Sequence, residues 1–452
     1  MSGIERRTAI VLRDAAHQTF TDPLAGLAES EERRANRFIA VRRVDIGWSV
    51  SRKVRYAGLL QVGDVSYWLA PPFSAASFVY LLLQRSGSPQ AAERAYALAS
   101  SQRNRSLLDL MPVLAMTMVS EAARLASGHI AQSYATRTEQ MGVVRGRPLW
   151  HKQTSRPADG SVYCRFSEKT TNTLENRLVV AGLQAAERWI GPGSGRSQLR
   201  SQQRIWRSLA DPMTPARHDF DLAELRLNRL TEGYRSAFSV ARSLLFGFDL
   251  EGTRADTEIN APVFDLAELF ETLVYMTAKL AVKGTGLEVS AQTSERRAVV
   301  TSNGSVYRRI RPDVVFSRDG VPEFVLECKF KPQYAQGGPS PGSANRISRE
   351  DIFQTFFYAS RLAQRAGLSR PIPSGIAAPA FLNSAPPSSE FRRIYMGDET
   401  ETESSPLNLV LFPVDAAVSA LISGDIGFCR QIFRETSIFA SGNGSTVTSA
   451  EF

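Results

Sequence analysis

Residues 311–330, RPDVVFSRDGVPEFVLECKF, constrain this chain more than any other stretch. Two short apolar runs flank an Asp-Gly dipeptide, the pattern of an antiparallel hairpin. Side chains alternate faces along a strand. Ile310, Pro312, Val314 and Phe316 therefore share one face of the first run, and Arg311 and Asp313 the other. On the second run Phe324, Leu326, Cys328 and Phe330 share a face, and Val325, Glu327, Lys329 and Lys331 its opposite. Asp313 and Glu327 lie symmetrically about Gly320, so a three-residue loop at 319–321 makes them direct cross-strand neighbours, with Cβ atoms about 4.5–5.5 Å apart. Two carboxylates held that close repel each other unless something positive lies between them. Mg²⁺ meets that need, because it takes oxygen ligands and keeps several waters; Mn²⁺ is the expected substitute. Lys329, two residues on, is placed to orient or deprotonate a water whose pKa the metal lowers. The plainer alternative is a surface hairpin whose Asp, Glu and Lys form a weakly salt-bridged face.

The flanking segments bear on that choice. DLAELFETLVYMTAKLA before the hairpin carries Leu266, Leu269, Phe270, Leu273 and Val274 on one helical face. DIFQTFFYASRLAQRAG after it is a second amphipathic helix. Helix, strand, strand, helix is the layout of the PD-(D/E)xK nuclease core. In that layout Asp313, Glu327 and Lys329 are the catalytic set and Glu271 is the fourth acidic group. Glu268, one turn earlier, is the alternative to Glu271. The expected metal ligands are Asp313, Glu327, the backbone carbonyl of Cys328 and Glu271. Gln354 and Tyr358, four apart on one face, border the site, contact DNA or simply pack. Arg311 is a further candidate for DNA contact.

The rest of the chain is read more coarsely. Its 452 residues, 43% hydrophobic and 22% charged, suit a soluble α+β protein of several domains. The alternation expects strands to about residue 75, with turns at Gly58 and at Gly63-Asp64, then helices to about residue 127. GVVRGRPLWHKQ reads as strand-like. VYCRFSEKTTNTLENRLVVAGLQAAERWI reads as an amphipathic helix with Leu174, Leu178, Val179 and Leu183 on its apolar face, and GPGSG at 191–195 breaks it. The expected domains are a β-rich and helical one at 1–155, a helical connector at 156–255 and an α/β core at 256–440. Loops are expected at 331–350 and 384–406, and a disordered tail at 441–452.

Composition bounds the partners. No apolar run is long enough to span a bilayer, and MSGIERRTAIVLRD has no signal-peptide core. Three distant cysteines encode neither a disulfide framework nor a zinc cluster, so a reducing cytoplasm is the expected home. A net charge of +9 favours a polyanionic partner. Of the 54 basic residues only seven are Lys; a GC-rich genome explains the bias as well as phosphate recognition does. Arg196, Arg200, Arg204 and Arg207 are spaced four, four and three, one stripe on a helix. Arg200 and Arg204 are candidates to track a phosphate backbone, and a solvated face is the alternative.

Several pieces, in order, resemble the McrC family, the nuclease subunit of McrBC-type, 5-methylcytosine-specific restriction systems. SGHIAQSYATRTEQMGVVRGRPLW is similar to the family's Gly, Tyr and Arg-Gly-Arg segment at Gly128, Tyr134, Arg145 and Gly146. TTNTLENRLVVAGL is similar to its helix at Thr173, Glu175, Asn176 and Arg177. LFETLV, RPDVVF with LECKFK, and DIFQTFFYA correspond to its Leu-Phe-Glu helix, metal strands and D-x-x-Q-x-x-x-Y-A helix. The resemblance covers roughly residues 55–360. It implies that Asp313, Glu327 and Lys329, assisted by Glu271, are nuclease residues acting on double-stranded DNA. It also implies that the N-terminal region docks on an oligomeric, McrB-like AAA+ GTPase or ATPase, in an assembly large enough to cut both strands. APPF stands where family members often carry a Pro-Lys element, and the loop at 335–348 is longer than the family's.

No G-x-x-x-x-G-K-[ST] occurs, and GPGSGRS lacks the phosphate-reaching lysine, so any motor is another chain. His17, His129, His151 and His218 are scattered, with no paired metal spacing. GPSPG at 338–342 lies in a Pro-rich loop rather than a nucleophile elbow. Two rivals remain open: an inactive DNA-binding subunit that stimulates its partner's NTPase, and a stand-alone repair nuclease.

Overall fold

The computed structural model describes residues 9–12, 18–20, 36, 38–44, 47–53, 55–62, 65–85, 87–101, 110–152, 160–246, 263–291, 295–300, 306–332, 334, 347–381, 393–394, 407–434, 436 and 438–439. The turn expected at Gly63-Asp64, most of the two expected loops and the tail from residue 441 lie outside them. The chain forms two compact units, residues 1–85 with 263–452, and residues 86–262. This division differs from the linear one expected at 155 and 255. Periodicity locates strands and helices but does not say which distant strand pairs with which.

The N-terminal alternation gives β1 (Ala9–Leu12), β2 (Gln18–Phe20), β3 (Ile39–Val44), β4 (Gly47–Arg52), β5 (Tyr56–Val62) and β6 (Val65–Leu69), then the buried helix α1 (Ala75–Arg85). β2, β4 and β3 form one antiparallel sheet. β1 runs parallel to β6, and β6 is antiparallel to β5. Gly58 is not at a turn: it lies inside β5 with φ at 128°, a geometry open to glycine because it has no Cβ.

The second unit contains α2 (Pro89–Ser101), α3 (Leu110–Ala126), β7 (Ser133–Met141), β8 (Arg147–Pro148), β9 (Val162–Thr170), α4 (Leu174–Ala186), α5 (Ser194–Leu209), α6 (Arg217–Leu225) and α7 (Tyr234–Phe246). Two expectations change here. The strand-like patch at 142–153 supplies only the short β8, while the long strands are β7 and β9. β7 is almost wholly exposed, so it carries no apolar alternation to read. VYCRFSEKT is strand rather than helix, and the helix begins after Thr173, whose side chain accepts from the Asn176 amide. Asn176 is buried and donates to the carbonyls of Ala131 and Thr171, while its own carbonyl accepts from the Tyr234 hydroxyl at 2.6 Å. The Thr and Asn of this motif thus hold the unit together, since buried amides need partners.

The first unit resumes with β10 (Val263–Asp265), which pairs antiparallel with β5, and α8 (Leu266–Ala281), capped by Asp265. Arg55 holds Asp265 at 2.6 Å. There follow β11 (Glu288–Ala291), β12 (Glu295–Val300), β13 (Val306–Ile310), β14 (Val314–Arg318), β15 (Val321–Cys328), α9 (Arg349–Arg365), β16 (Ser374–Ala380), β17 (Arg393–Ile394), β18 (Leu407–Pro413), α10 (Val414–Ser423) and α11 (Ile426–Ile432). β12 and β13 form a separate ribbon. The main sheet has the order β11-β14-β15-β16-β18-β17, parallel through β15, β16 and β18 and antiparallel towards both edges. Phe316 and Phe324 meet ring to ring on one face of this sheet, where Phe433 joins Phe316 to Phe412 and Phe412 to Phe270 of α8. Val315 and Val325 face the other way, against Tyr358, Ala359 and Leu362 of α9. Helices therefore cover both faces of a mixed α/β sheet.

Candidate active site

The hairpin register sets the geometry. Val314 pairs with Leu326, Val315 with Val325 and Phe316 with Phe324, so continuing the ladder by one step aligns Asp313 with Glu327. The alignment expected from sequence stands, but its turn differs. Arg318 pairs with Val321 across a two-residue Asp319-Gly320 turn, both residues at positive φ, 50° and 78°. A two-residue turn alone would slip the register by one residue. The shift between Phe316 and Ser317 leaves Glu323 as the extra residue of β15 and restores it. Glu323 is secured by Arg318 at 2.7 Å.

Glu327 and Lys329 project on the α9 side of the sheet. Lys329 Nζ donates to Glu327 Oε1 at 3.0 Å and to Gln354 Oε1 at 2.9 Å. Gln354 Nε2 in turn donates to Glu327 Oε1 at 2.8 Å and to the Tyr358 hydroxyl at 2.9 Å. Asp313 joins through the backbone: the Cys328 amide donates to its Oδ2 at 2.7 Å. The structure thus brings together Asp313, Glu327, Lys329, Gln354 and Tyr358. The last two line the site, with their polar groups engaged inside it.

Burial makes this cluster electrostatically unusual. Glu327 is only 4% exposed, and its Oε2 is buried without a hydrogen-bond partner among the described residues. Burial, and then the charge of Glu327, push Asp313 up to about 7, against the pull of the Cys328 amide, Lys329 and Arg311. Burial likewise raises Glu327, although Lys329 opposes it, and Glu271 adds to the rise. Burial works to lower Lys329, but Glu327 and then Asp351 and Asp313 outweigh it and hold the ammonium above its usual value. In this arrangement Lys329 is a fixed positive charge.

Glu271 comes from α8 on the other side of the sheet, near enough for its charge to act on Glu327 and Cys328. Glu268 is instead paired with Arg85 at 2.7 Å. Arg311 is exposed and close enough to act on Asp313. Arg200 and Arg204 belong to α5 of the second unit. Among the described residues no three His, Cys, Asp or Glu side chains converge as a metal cluster. The pocket is built on two carboxylates, which suits a cation that keeps much of its water.

One partner set has no assigned role in the sequence reading. Asp351, in the first turn of α9, is buried and accepts from Lys331 at 2.6 Å and from the Tyr334 hydroxyl; it also lies 3.7 Å from Lys329. Burial would raise Asp351, but Lys331, Tyr334 and Lys329 hold it below the usual range. Its signal in the sequence is the Lys-x-Lys repeat at 329–331 facing one side, with an acid at the start of the next helix.

Comparison with known proteins supplies the lineage. No curated protein matches this sequence. A chain of a solved structure, the refined half-complex from a tetradecameric assembly of Thermococcus gammatolerans McrB AAA+ hexamers with bound McrC, is similar in fold at 14% identity. The TM-score is 0.65, over 94% of this chain and 100% of that one. A chain of the cryo-EM structure of the Thermococcus gammatolerans McrBC complex is similar at 16% identity and a TM-score of 0.41, over 59% of this chain and 85% of that one. The profile of the McrBC 5-methylcytosine restriction system component family matches residues 61–368, and the chain belongs to that family.

Proposed function

We propose that this chain is the DNA-cleaving subunit of a McrBC-like, modification-dependent restriction system, a Mg²⁺-dependent endodeoxyribonuclease with a PD-(D/E)xK core. The observation that carries the reading is the opposed pair Asp313, half-buried, and Glu327, buried, with Glu327 Oε2 lacking a hydrogen-bond partner among the described residues. A buried acceptor without a donor is costly unless something else satisfies it. A divalent cation is the group that fits two such carboxylates. Asp313, Glu327 and the Cys328 carbonyl would hold it, with Glu271 assisting directly or through water. When bound it supplies a coordinated water of lowered pKa and charge neutralisation at the scissile phosphate.

The chain's own residues do the rest. The Cys328 amide fixes the rotamer of Asp313. Gln354 bridges Glu327 and Lys329, donating to the one and accepting from the other. Lys329, kept protonated, orients an attacking water and stabilises charge on the phosphate. Asp351 and Lys331 anchor the start of α9, so Gln354 and Tyr358 are presented in register.

An oligomeric, McrB-like AAA+ partner is part of the reading. The support is family membership, the absence of a P-loop motif, and a fold neighbour described as McrB AAA+ hexamers with bound McrC. The test is cleavage of a methylated duplex by the purified chain with its partner. Asp313→Ala should abolish cutting while partner assembly by size-exclusion chromatography is unchanged. Undiminished cutting by that variant would refute the site. Cutting without any partner or NTP would favour the stand-alone repair nuclease, and no cutting by the unsubstituted chain in the complete system the inactive subunit.

A further inference from the structure

Helix α5 carries chemistry that the pocket does not use. Its sequence, SGRSQLRSQQRIWRSL, contains four Arg, three Gln and no acid. One face is firmly seated: Leu199 and Trp206 are fully buried, Trp206 Nε1 donates to the Ala122 carbonyl, and Gln203 donates to Glu187 and to the Leu183 carbonyl. Arg196 leaves the stripe that the spacing implies. It turns back to the end of α4, donating to the carbonyls of Glu187 and Ile190 and pairing with the Glu187 carboxylate at 2.8 Å.

Arg200, Arg204 and Arg207 remain exposed, with no carboxylate partner among the described residues. In the same unit Arg94, Arg124, Arg137, Arg235 and Arg242 are each paired with an acid. The three arginines fall within one narrow sector of the helix, and exposed Ser197, Ser201 and Ser208 flank them. Positions 200 to 207 span about 10 Å of helix axis. Phosphates of one DNA strand advance ~3.4 Å each along the duplex axis, so three long guanidinium side chains spread over that span can reach about three of them.

We propose that Arg200, Arg204 and Arg207 form a rail for the phosphate backbone of duplex DNA, read without regard to sequence. Choosing DNA over an acidic protein rests on the function proposed above. The rail itself rests on unpaired guanidinium groups, aligned on a helix whose orientation the Trp206 anchor fixes. Guanidinium groups bind phosphate oxygens through paired N–H donors, and the hydroxyls of Ser197 and Ser201 beside them add further donors to backbone oxygens, while that of Ser208 is given to the Ile205 carbonyl.

The test uses the full chain and a fluorescein-labelled unmethylated duplex, with anisotropy read across roughly 50–200 mM salt. Each neutralised phosphate adds about 0.9 to the slope of log affinity against log salt. The triple variant Arg200→Gln, Arg204→Gln, Arg207→Gln should therefore lose about 2.7 from that slope. Over the same range the unsubstituted chain should lose about 40-fold more affinity than the variant. The triple Arg→Lys variant should keep the slope, which separates lost charge from lost folding. An unchanged slope in the Gln variant, or no DNA binding by the unsubstituted chain, overturns the proposal and leaves the stripe to an acidic protein surface. Asp313→Asn distinguishes this failure from failure of the nuclease reading: it should keep the slope whatever it does to cleavage.

Discussion

Divalent-metal binding by this chain should weaken about tenfold when the pH falls from about 8 to about 6. A metal binds the carboxylate and not the carboxylic acid. Burial, and then Glu327, raise Asp313 from 3.8 to about 7 in the metal-free chain. About nine-tenths of Asp313 is then ionised one pH unit above its midpoint, and about one-tenth one unit below. A carboxyl group left at its ordinary value would be ionised at both pH values and would give no step. The assay is calorimetry with Mn²⁺ on the full chain, in two buffers of different ionisation enthalpy. It should report roughly one proton released per metal near pH 6 and almost none near pH 8. Glu327→Gln removes the like charge, so the midpoint of Asp313 should fall, although burial keeps part of the rise. The same shift has a consequence for stability. The folded, metal-free chain holds a proton that the unfolded chain releases, so this group's contribution to stability declines as pH rises from 3.8 towards about 7. Equal Mn²⁺ affinity at both pH values, with no proton released at either, would show that Asp313 and Glu327 do not share a buried site.

Two further outcomes test the surroundings. Gln354→Ala removes the group that bridges Glu327, Lys329 and Tyr358; kcat for DNA cleavage should fall about 10–100-fold with KM for DNA unchanged, and a change confined to KM would make Gln354 a DNA contact instead. Gly146 sits at a φ of 70°, and a Cβ there would lie 2.5 Å from the Arg165 carbonyl oxygen. Gly146→Ala should therefore cost about 2 kcal/mol or more in urea unfolding, and an unchanged midpoint would mean that β8 and β9 separate freely.

Much of the pocket was legible because strand alternation and hairpin symmetry are local properties. The positions of Asp313, Glu327 and Lys329 follow from counting residues either side of Gly320. The turn is one residue shorter than hairpin symmetry implies, and the bulge at Glu323 compensates for it, so the alignment is unaffected. Gln354 and Tyr358 were legible as a helical pair, but not that both turn inward to the carboxylate. What sequence could not show was long-range: that β10 pairs with a strand some 200 residues earlier, or that Arg196 turns away from its stripe to hold the end of α4. β7 is not legible in the sequence because a strand exposed on both faces has no buried side to impose a pattern. Asp351 falls at the first position of the D-x-x-Q-x-x-x-Y-A helix, but an acid in the first turn of a helix is ordinary there, and only its four cationic and hydroxyl neighbours, Lys331, Tyr334, Lys329 and Ser348, give it a role.

The pairing of β5 with β10 has a consequence for how the chain matures on the ribosome. The unit at 86–262 is one continuous segment and can fold as soon as it emerges. The unit that houses the carboxylates is discontinuous: its first strands must wait for Val263–Asp265, and its main sheet is incomplete until Leu407–Pro413 has been synthesised. A nascent chain thus carries no aligned carboxylate pair until that strand is made, and termination before it yields a product that has Asp313, Glu327 and Lys329 but no intact sheet to hold them in register.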